Sequence, residues 1–129
     1  MSTTSSASAA EQVVDGPILI GKGGAENLPS MEIEGSLAWI GDVHQNPGPS
    51  ELAAGFFRME PSESFIYDYN YDEMKVVIEG DLVLTDVATG QVVEAGPLDV
   101  LHFPKGTQVR FDTRGGALAF YTGLRSFSP

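Results

Sequence analysis

Three tyrosines, Tyr67, Tyr69 and Tyr71, recur at every second position and run directly into Glu73 and Lys75 at the same spacing. In an extended strand that period of two brings all five side chains to one side. A carboxylate there can accept a proton, and an ammonium or a phenol can donate one. Such a file suits general acid–base work on a small molecule, the proton transfer of an isomerisation, elimination or cyclisation. Met74, Val76 and Ile78 form an apolar file on the opposite side.

A fold can use the two files in two ways. If the apolar residues mark the core, Met74, Val76 and Ile78 turn inward and Glu73, Lys75 and Glu79 form a solvated face. Periodicity alone favours this arrangement, because charged strand positions are usually wet. A β-barrel with a polar cavity reverses it, since one face packs outward on a neighbour while the other lines the cavity.

The segments that must position these residues are short and β-rich. They fall at 17–21, 34–43, 52–59, 65–71, 74–79, 82–87, 91–94, 99–104, 107–113 and 117–124. Gly80-Asp81 and Ala88-Thr89-Gly90 supply turns, and Asn46-Pro47-Gly48-Pro49 reads as a loop. No segment has the periodicity of an amphipathic helix and no repeat is visible. Regular short strands with Gly and Pro punctuation predict an all-β sandwich or jelly roll. The 129 residues suit one domain at 16–129, preceded by a polar, small-residue tail at 1–15 that is expected to be disordered.

Seven basic residues against eighteen acidic ones give a net charge of −11, which opposes nucleic acid and anionic membranes and suits a small neutral or cationic partner. With no cysteine, disulfides, thiolate nucleophiles and zinc–thiolate centres are excluded. The N-terminal residues lack the basic start and apolar run of a secretory signal, and no stretch reaches the roughly 20 apolar residues of a membrane span. A cytoplasmic protein is expected.

Val77-Ile78-Glu79-Gly80, Ala95-Gly96-Pro97-Leu98-Asp99-Val100 and Phe103-Pro104-Lys105-Gly106 together resemble the two sequence motifs of cupins. More closely, Ala53-Ala54-Gly55-Phe56, Asn70-Tyr71-Asp72-Glu73, Pro104-Lys105-Gly106-Thr107 and Phe120-Tyr121 are similar to the cupin half of the ethanolamine-utilisation Q protein family. A looser resemblance links the stretch to ureidoglycine aminohydrolase-like cupins. The match covers about 52–125 and implies a single-domain cupin jelly-roll β-barrel, commonly a homodimer. In metal-binding cupins a His-x-His and a Glu in the first motif join a third His in the second. Carried over residue by residue, those positions hold Tyr67, Tyr69, Glu73 and Val109. With His44 and His102 the only histidines, no cupin-type transition metal and no cofactor is expected. An oxygen-only set of Asp68, Asp72, Glu73 and Tyr67 remains for a weakly held hard cation. The resemblance also implies that Glu73 points into the barrel, and strand parity then sends Lys75 the same way. The alternatives for these groups are a structural ion pair for Glu73 with Lys75, and aromatic packing for Tyr67 and Tyr69.

The remaining candidates are ligand-binding residues without a motif. His102 is either a cavity acid–base group or a hydrogen-bonded core histidine, and His44 is expected at the surface. Trp39, Phe57 and Phe111 are expected to fill the barrel. Lys105 and Arg110, with Lys75, are placed to meet a ligand carboxylate or phosphate. Three functions follow in order: a metal-independent acid–base enzyme using Glu73 with Lys75 or Tyr67 and Tyr69; a small-molecule-binding module without turnover; and an acetate-kinase-like role that the resemblance implies. The last ranks lowest because no Gly-x4-Gly-Lys-Ser/Thr phosphate loop is present.

Overall fold

Runs of β-branched and aromatic residues broken by Gly, Pro and Asp become strands wherever a neighbour can take up their backbone hydrogen bonds. The computed structural model describes residues 16–46 and 50–126. The tail expected at 1–15 and positions 47–49 of the expected loop lie outside the described residues. Nine strands follow among the described residues: β1 (Leu37–Asn46), β2 (Leu52–Glu60), β3 (Phe65–Asp68), β4 (Glu73–Gly80), β5 (Leu82–Asp86), β6 (Val92–Ala95), β7 (Val100–Phe103), β8 (Gln108–Asp112) and β9 (Ala117–Gly123). They form a five-stranded sheet in the order β1-β2-β9-β4-β7 and a four-stranded sheet in the order β3-β8-β5-β6, with antiparallel pairing throughout. The protein is all-β, as the sequence predicts.

The segment 17–21 departs from that prediction: Ile18, Leu19 and Ile20 are exposed and belong to no strand. The place beside β1 that such a strand would need is taken by residues 29–31. Ile40 N–H donates to the Pro29 carbonyl at 3.0 Å, and Met31 N–H to the Ala38 carbonyl at 2.9 Å. β1 also starts three residues later than expected, because a turn closed by Ser36 N–H on the Ile33 carbonyl, with Gly35 at φ 83°, precedes it.

The core lies between the sheets. Phe57, Met59, Val77, Ala119 and Tyr121 from the larger sheet meet Phe65, Leu82, Leu84, Val109 and Phe111 from the smaller one. Phe57, Phe65 and Phe111 pack edge-on and stacked at centroid separations of 5.3 to 6.2 Å. Two connections fix the register. Gly80 turns the chain from β4 to β5 at φ 79°, so close to β9 that a Cβ would collide with the Gly116 carbonyl oxygen. Asp81 then holds the β8–β9 loop by accepting the N–H groups of Arg114 at 3.0 Å and Gly115 at 3.1 Å.

Candidate functional site

Glu73 opens β4 opposite Phe103 of β7 and Gly123 of β9, and Lys75 follows opposite Leu101 and Tyr121. Both point into the barrel, each side chain only 2 % exposed, while Met74 and Ile78 face outward and are exposed. The inward arrangement implied by the family resemblance is therefore the one adopted. Periodicity alone favours the reverse because it cannot distinguish a solvated face from a polar cavity.

Lys75 Nζ lies 3.2 Å from Glu73 Oε2, and the same oxygen accepts the Tyr69 hydroxyl at 2.7 Å. Four rings surround the ammonium: Phe57 at 4.8 Å, Tyr121 at 5.2 Å, Phe111 at 5.4 Å and Phe103 at 5.9 Å. Their negative faces attract the buried cation. Glu73 Oε1 faces the Tyr71 hydroxyl at 3.5 Å, and Tyr71 shares a 2.7 Å hydrogen bond with Tyr67. The strand expected at 65–71 ends at Asp68, so Tyr71 is not a strand residue. The ladder nonetheless closes: Tyr69 pairs its backbone with Thr107 and Gly106, and the three rings contact one another at 4.8 to 6.5 Å.

The network continues. Arg125, 1 % exposed, lies over the Tyr71 ring at 5.2 Å, hydrogen-bonds its side chain, and grips Asp42 with two bonds of 2.8 and 2.9 Å. Tyr121 donates to the same carboxylate at 2.5 Å and Gln45 at 2.7 Å. Small residues make the room: a side chain at Gly55 would run into the Tyr121 hydroxyl, and one at Gly123 would press on the Tyr71 ring. Burial, reinforced by the Glu73 charge and hydrogen bond, pushes the Tyr69 phenol far above its ordinary value. Burial likewise raises Tyr67, Tyr71 and Tyr121. At Asp42 burial pushes upward, but hydrogen bonds from Arg125, Gln45 and Tyr121 outweigh it and hold the carboxyl below the usual range. The barrel thus presents a carboxylate, an ammonium and protonated phenols in hydrogen-bond contact, the components of proton transfer.

Of the residues singled out in the sequence, Glu73, Lys75, Tyr67, Tyr69, Phe57 and Phe111 line one narrow pocket, joined by Tyr71, Phe65, Met31 and Ile40. Trp39 does not enter it; it alternates with the inward Ala38 and Ile40 and stands opposite Arg58. His102 is displaced by the same parity: it pairs with outward Met74, its side chain is half exposed, and it sits 3.9 Å from Asp72. Lys105 and Arg110 are exposed as well, one in the turn after β7 and the other alternating with the buried Val109 and Phe111. His44 is exposed, as expected. Asp42 and Arg125 escape the sequence reading, and Tyr121 enters it only within the Phe120-Tyr121 match, with no role. The signal for Asp42 and Arg125 is a single charge inside or just after an apolar β-rich run, Trp39-Ile40-Gly41-Asp42 and Phe120 through Arg125, where an unpaired charge is costly.

The residues at the cupin metal positions do not fit a transition metal. Val109 has no donor atom, Tyr67 and Tyr69 are phenols raised by burial, and the single carboxylate is already engaged by an ammonium that repels a cation. The oxygen-only set also falls apart: Asp68 accepts Gln108 Nε2 and Asp72 accepts Lys105 N–H, both at the surface and away from Glu73.

The sequence model of the ethanolamine utilisation protein EutQ family matches residues 37–124. The chain belongs to that family. It is 28 % identical over 109 residues to the acetate kinase EutQ of Escherichia coli K12, covering 78 % of this chain and 46 % of that relative. The chain therefore spans under half the length of the curated relative it matches. The crystal structure of a putative ethanolamine utilization protein Q from Salmonella typhimurium LT2 superposes with a TM-score of 0.63 at 27 % identity, over 81 % of this chain and 76 % of that one. The polyketide cyclase RemF from Streptomyces resistomycificus superposes with a TM-score of 0.67 at 16 % identity, over 86 % and 82 %. With a cupin-2 domain protein of Shewanella frigidimarina at TM-score 0.54 and 15 % identity, it shows the fold alone, which is that of a single-domain cupin.

Proposed function

We propose that this EutQ-family cupin acts on a small polar molecule in the barrel by metal-independent acid–base chemistry of the isomerase, lyase or cyclase type. Glu73 is the base, and Lys75 or a phenol of Tyr67 or Tyr69 is the proton donor or charge partner. The observation that carries the reading is the Glu73 carboxylate bonded at once to the Lys75 ammonium and the Tyr69 hydroxyl, with the side chains of Glu73 and Lys75 each 2 % exposed. A core that needed only stability would gain as much from apolar side chains of the same volume, since removing a buried pair altogether is often neutral. RemF, a cyclase of the same fold, makes ring closure one of the reactions to test first.

The acetate kinase name of the Escherichia coli relative supports phosphoryl transfer less well. This chain spans under half of that relative, and the one barrel lysine is already committed to Glu73. A homodimer, implied by the family resemblance, would cover the exposed Met74, Ile78 and Val100 on the outer face of the larger sheet; sedimentation would show it as twice the 13.7 kDa chain mass.

The reading is tested by native mass spectrometry and tyrosine-ring NMR against a panel of small hydroxy, keto and amino compounds. A binder that shifts the Tyr67, Tyr69 and Tyr71 ring signals is expected. Binders that leave those rings unmoved and shift only surface groups would contradict it.

A further inference from the structure

The pocket among the tyrosines has room for about 10 Å³, roughly one water molecule. No substrate fits there as the side chains stand. A much wider groove of about 870 Å³ runs between residues 29–32 and β1, with Asp42, His44 and Gln45 along it. Met31 and Ile40 line both spaces. They are the wall between the groove and the tyrosine cluster. The buried hydrogen-bond network ends at the same place, since Asp42, tied through Arg125 and Tyr71 to Glu73, is a groove residue.

We infer that the groove is the outer half of the substrate site and that Met31, on the segment 29–32, is the gate through which a small uncharged or cationic polar molecule reaches Glu73. This rests on the acid–base reading of the barrel and adds to it an entry route and a ligand class. The segment is held lightly for a gate: two backbone bonds, Met31 to Ala38 and Ile40 to Pro29, which together make the isolated bridge between Ser30 and Trp39, attach it to β1. Residues of unusual backbone bound it, Asn27 at φ 57° before it, Glu32 at φ 57° as its last residue and Gly35 at φ 83° just beyond. β1 itself bulges between Asp42 and His44, which widens the groove's other wall. Glu32 and Asp42 face the groove, and Arg125 pairs with Asp42. Glu32 and the chain's net charge of −11 therefore disfavour anions there.

All four tyrosines of the chain belong to the interior network, so tyrosine emission reports on it alone once the single tryptophan is removed by Trp39→Phe. In that background, quenching by neutral acrylamide and by caesium is expected to rise several-fold in Met31→Ala and Ile40→Ala, while iodide stays ineffective. Leu82→Ala, which removes volume at the opposite end of β4, is expected to leave quenching unchanged. An equal rise in Leu82→Ala, no rise in either gate variant, or efficient iodide quenching would overturn the inference. Hydrogen exchange of the unmodified chain decides the matter should the variants fail to fold. The Met31 and Ile40 amides must exchange faster than those of Phe57 and Ala119, and equal protection would make 29–31 a fixed strand. Because these measurements read access and not proton transfer, a failed gate leaves the role of Glu73 to be judged by its own turnover test.

Discussion

Lys75 Nζ stands 3.2 Å from Glu73 Oε2, with both side chains 2 % exposed. Breaking such a pair from one side strands a charge in the barrel. Lys75→Met is expected to cost about 3–5 kcal/mol in urea unfolding, whereas the double change Glu73→Gln with Lys75→Met should recover most of the loss. Glu73→Gln alone should be milder, because the amide still accepts from Tyr69 and the ammonium keeps its four rings. A Lys75→Met chain as stable as the original would show that the pair is not buried as described.

The four tyrosines give a second test. Tyr67, Tyr69, Tyr71 and Tyr121 are all raised, chiefly by burial. For an acid whose folded value exceeds its unfolded one, the stability it contributes is present below the unfolded value and lost as pH rises toward the folded one. Absorbance at the phenolate band should therefore stay flat through a pH of about 10, then rise in one step with unfolding. A reversible titration of one or more rings near that pH, with circular dichroism unchanged, would contradict the network.

Asp42 works in the opposite direction. Its carboxyl is held low by Arg125, Gln45 and Tyr121 against the push of burial, so its stabilisation is present above the unfolded value of about 3.9 and is lost as pH falls below it. Asp42→Asn should lower the thermal midpoint at neutral pH and flatten its decline in acid. An unchanged acid profile in Asp42→Asn would place the sensitivity in other carboxyls.

Two glycines with nearly the same φ separate conformation from contact. At Gly90 (φ 78°) a Cβ would meet open space, so Gly90→Ala should cost about 1–2 kcal/mol from backbone strain alone. Gly80 (φ 79°) abuts the Gly116 backbone, so Gly80→Ala should cost clearly more. Equal losses in chemical denaturation would mean that β4 and β9 are not so closely apposed.

The pattern of β-rich runs and turns carried the fold, and seven of the nine strands lie within a residue or two of where alternation, Gly and Pro place them, the exceptions being the shortened β3 and the late start of β1. The run at 17–21 misled because local β propensity says nothing about whether a sheet edge is free, and residues 29–31 hold that edge. Within the site, spacing by two brought Tyr67, Tyr69, Glu73 and Lys75 together, but the direction they face came only with the family resemblance. Parity also explains the failures: His102 and Arg110 sit one step out of phase with Phe103 and with Val109 and Phe111. Asp42 and Arg125 are 83 positions apart, and no local pattern pairs them.

The central claim is that Glu73 moves a proton in this barrel, and turnover by Glu73→Gln tests it most directly. With a processed compound in hand and the variant's fold checked by circular dichroism, kcat is expected to fall by a factor on the order of 100 to 10,000 while binding changes far less. A Glu73→Gln chain that turns the compound over at the original rate would contradict the account and leave the buried pair with Lys75 a structural one.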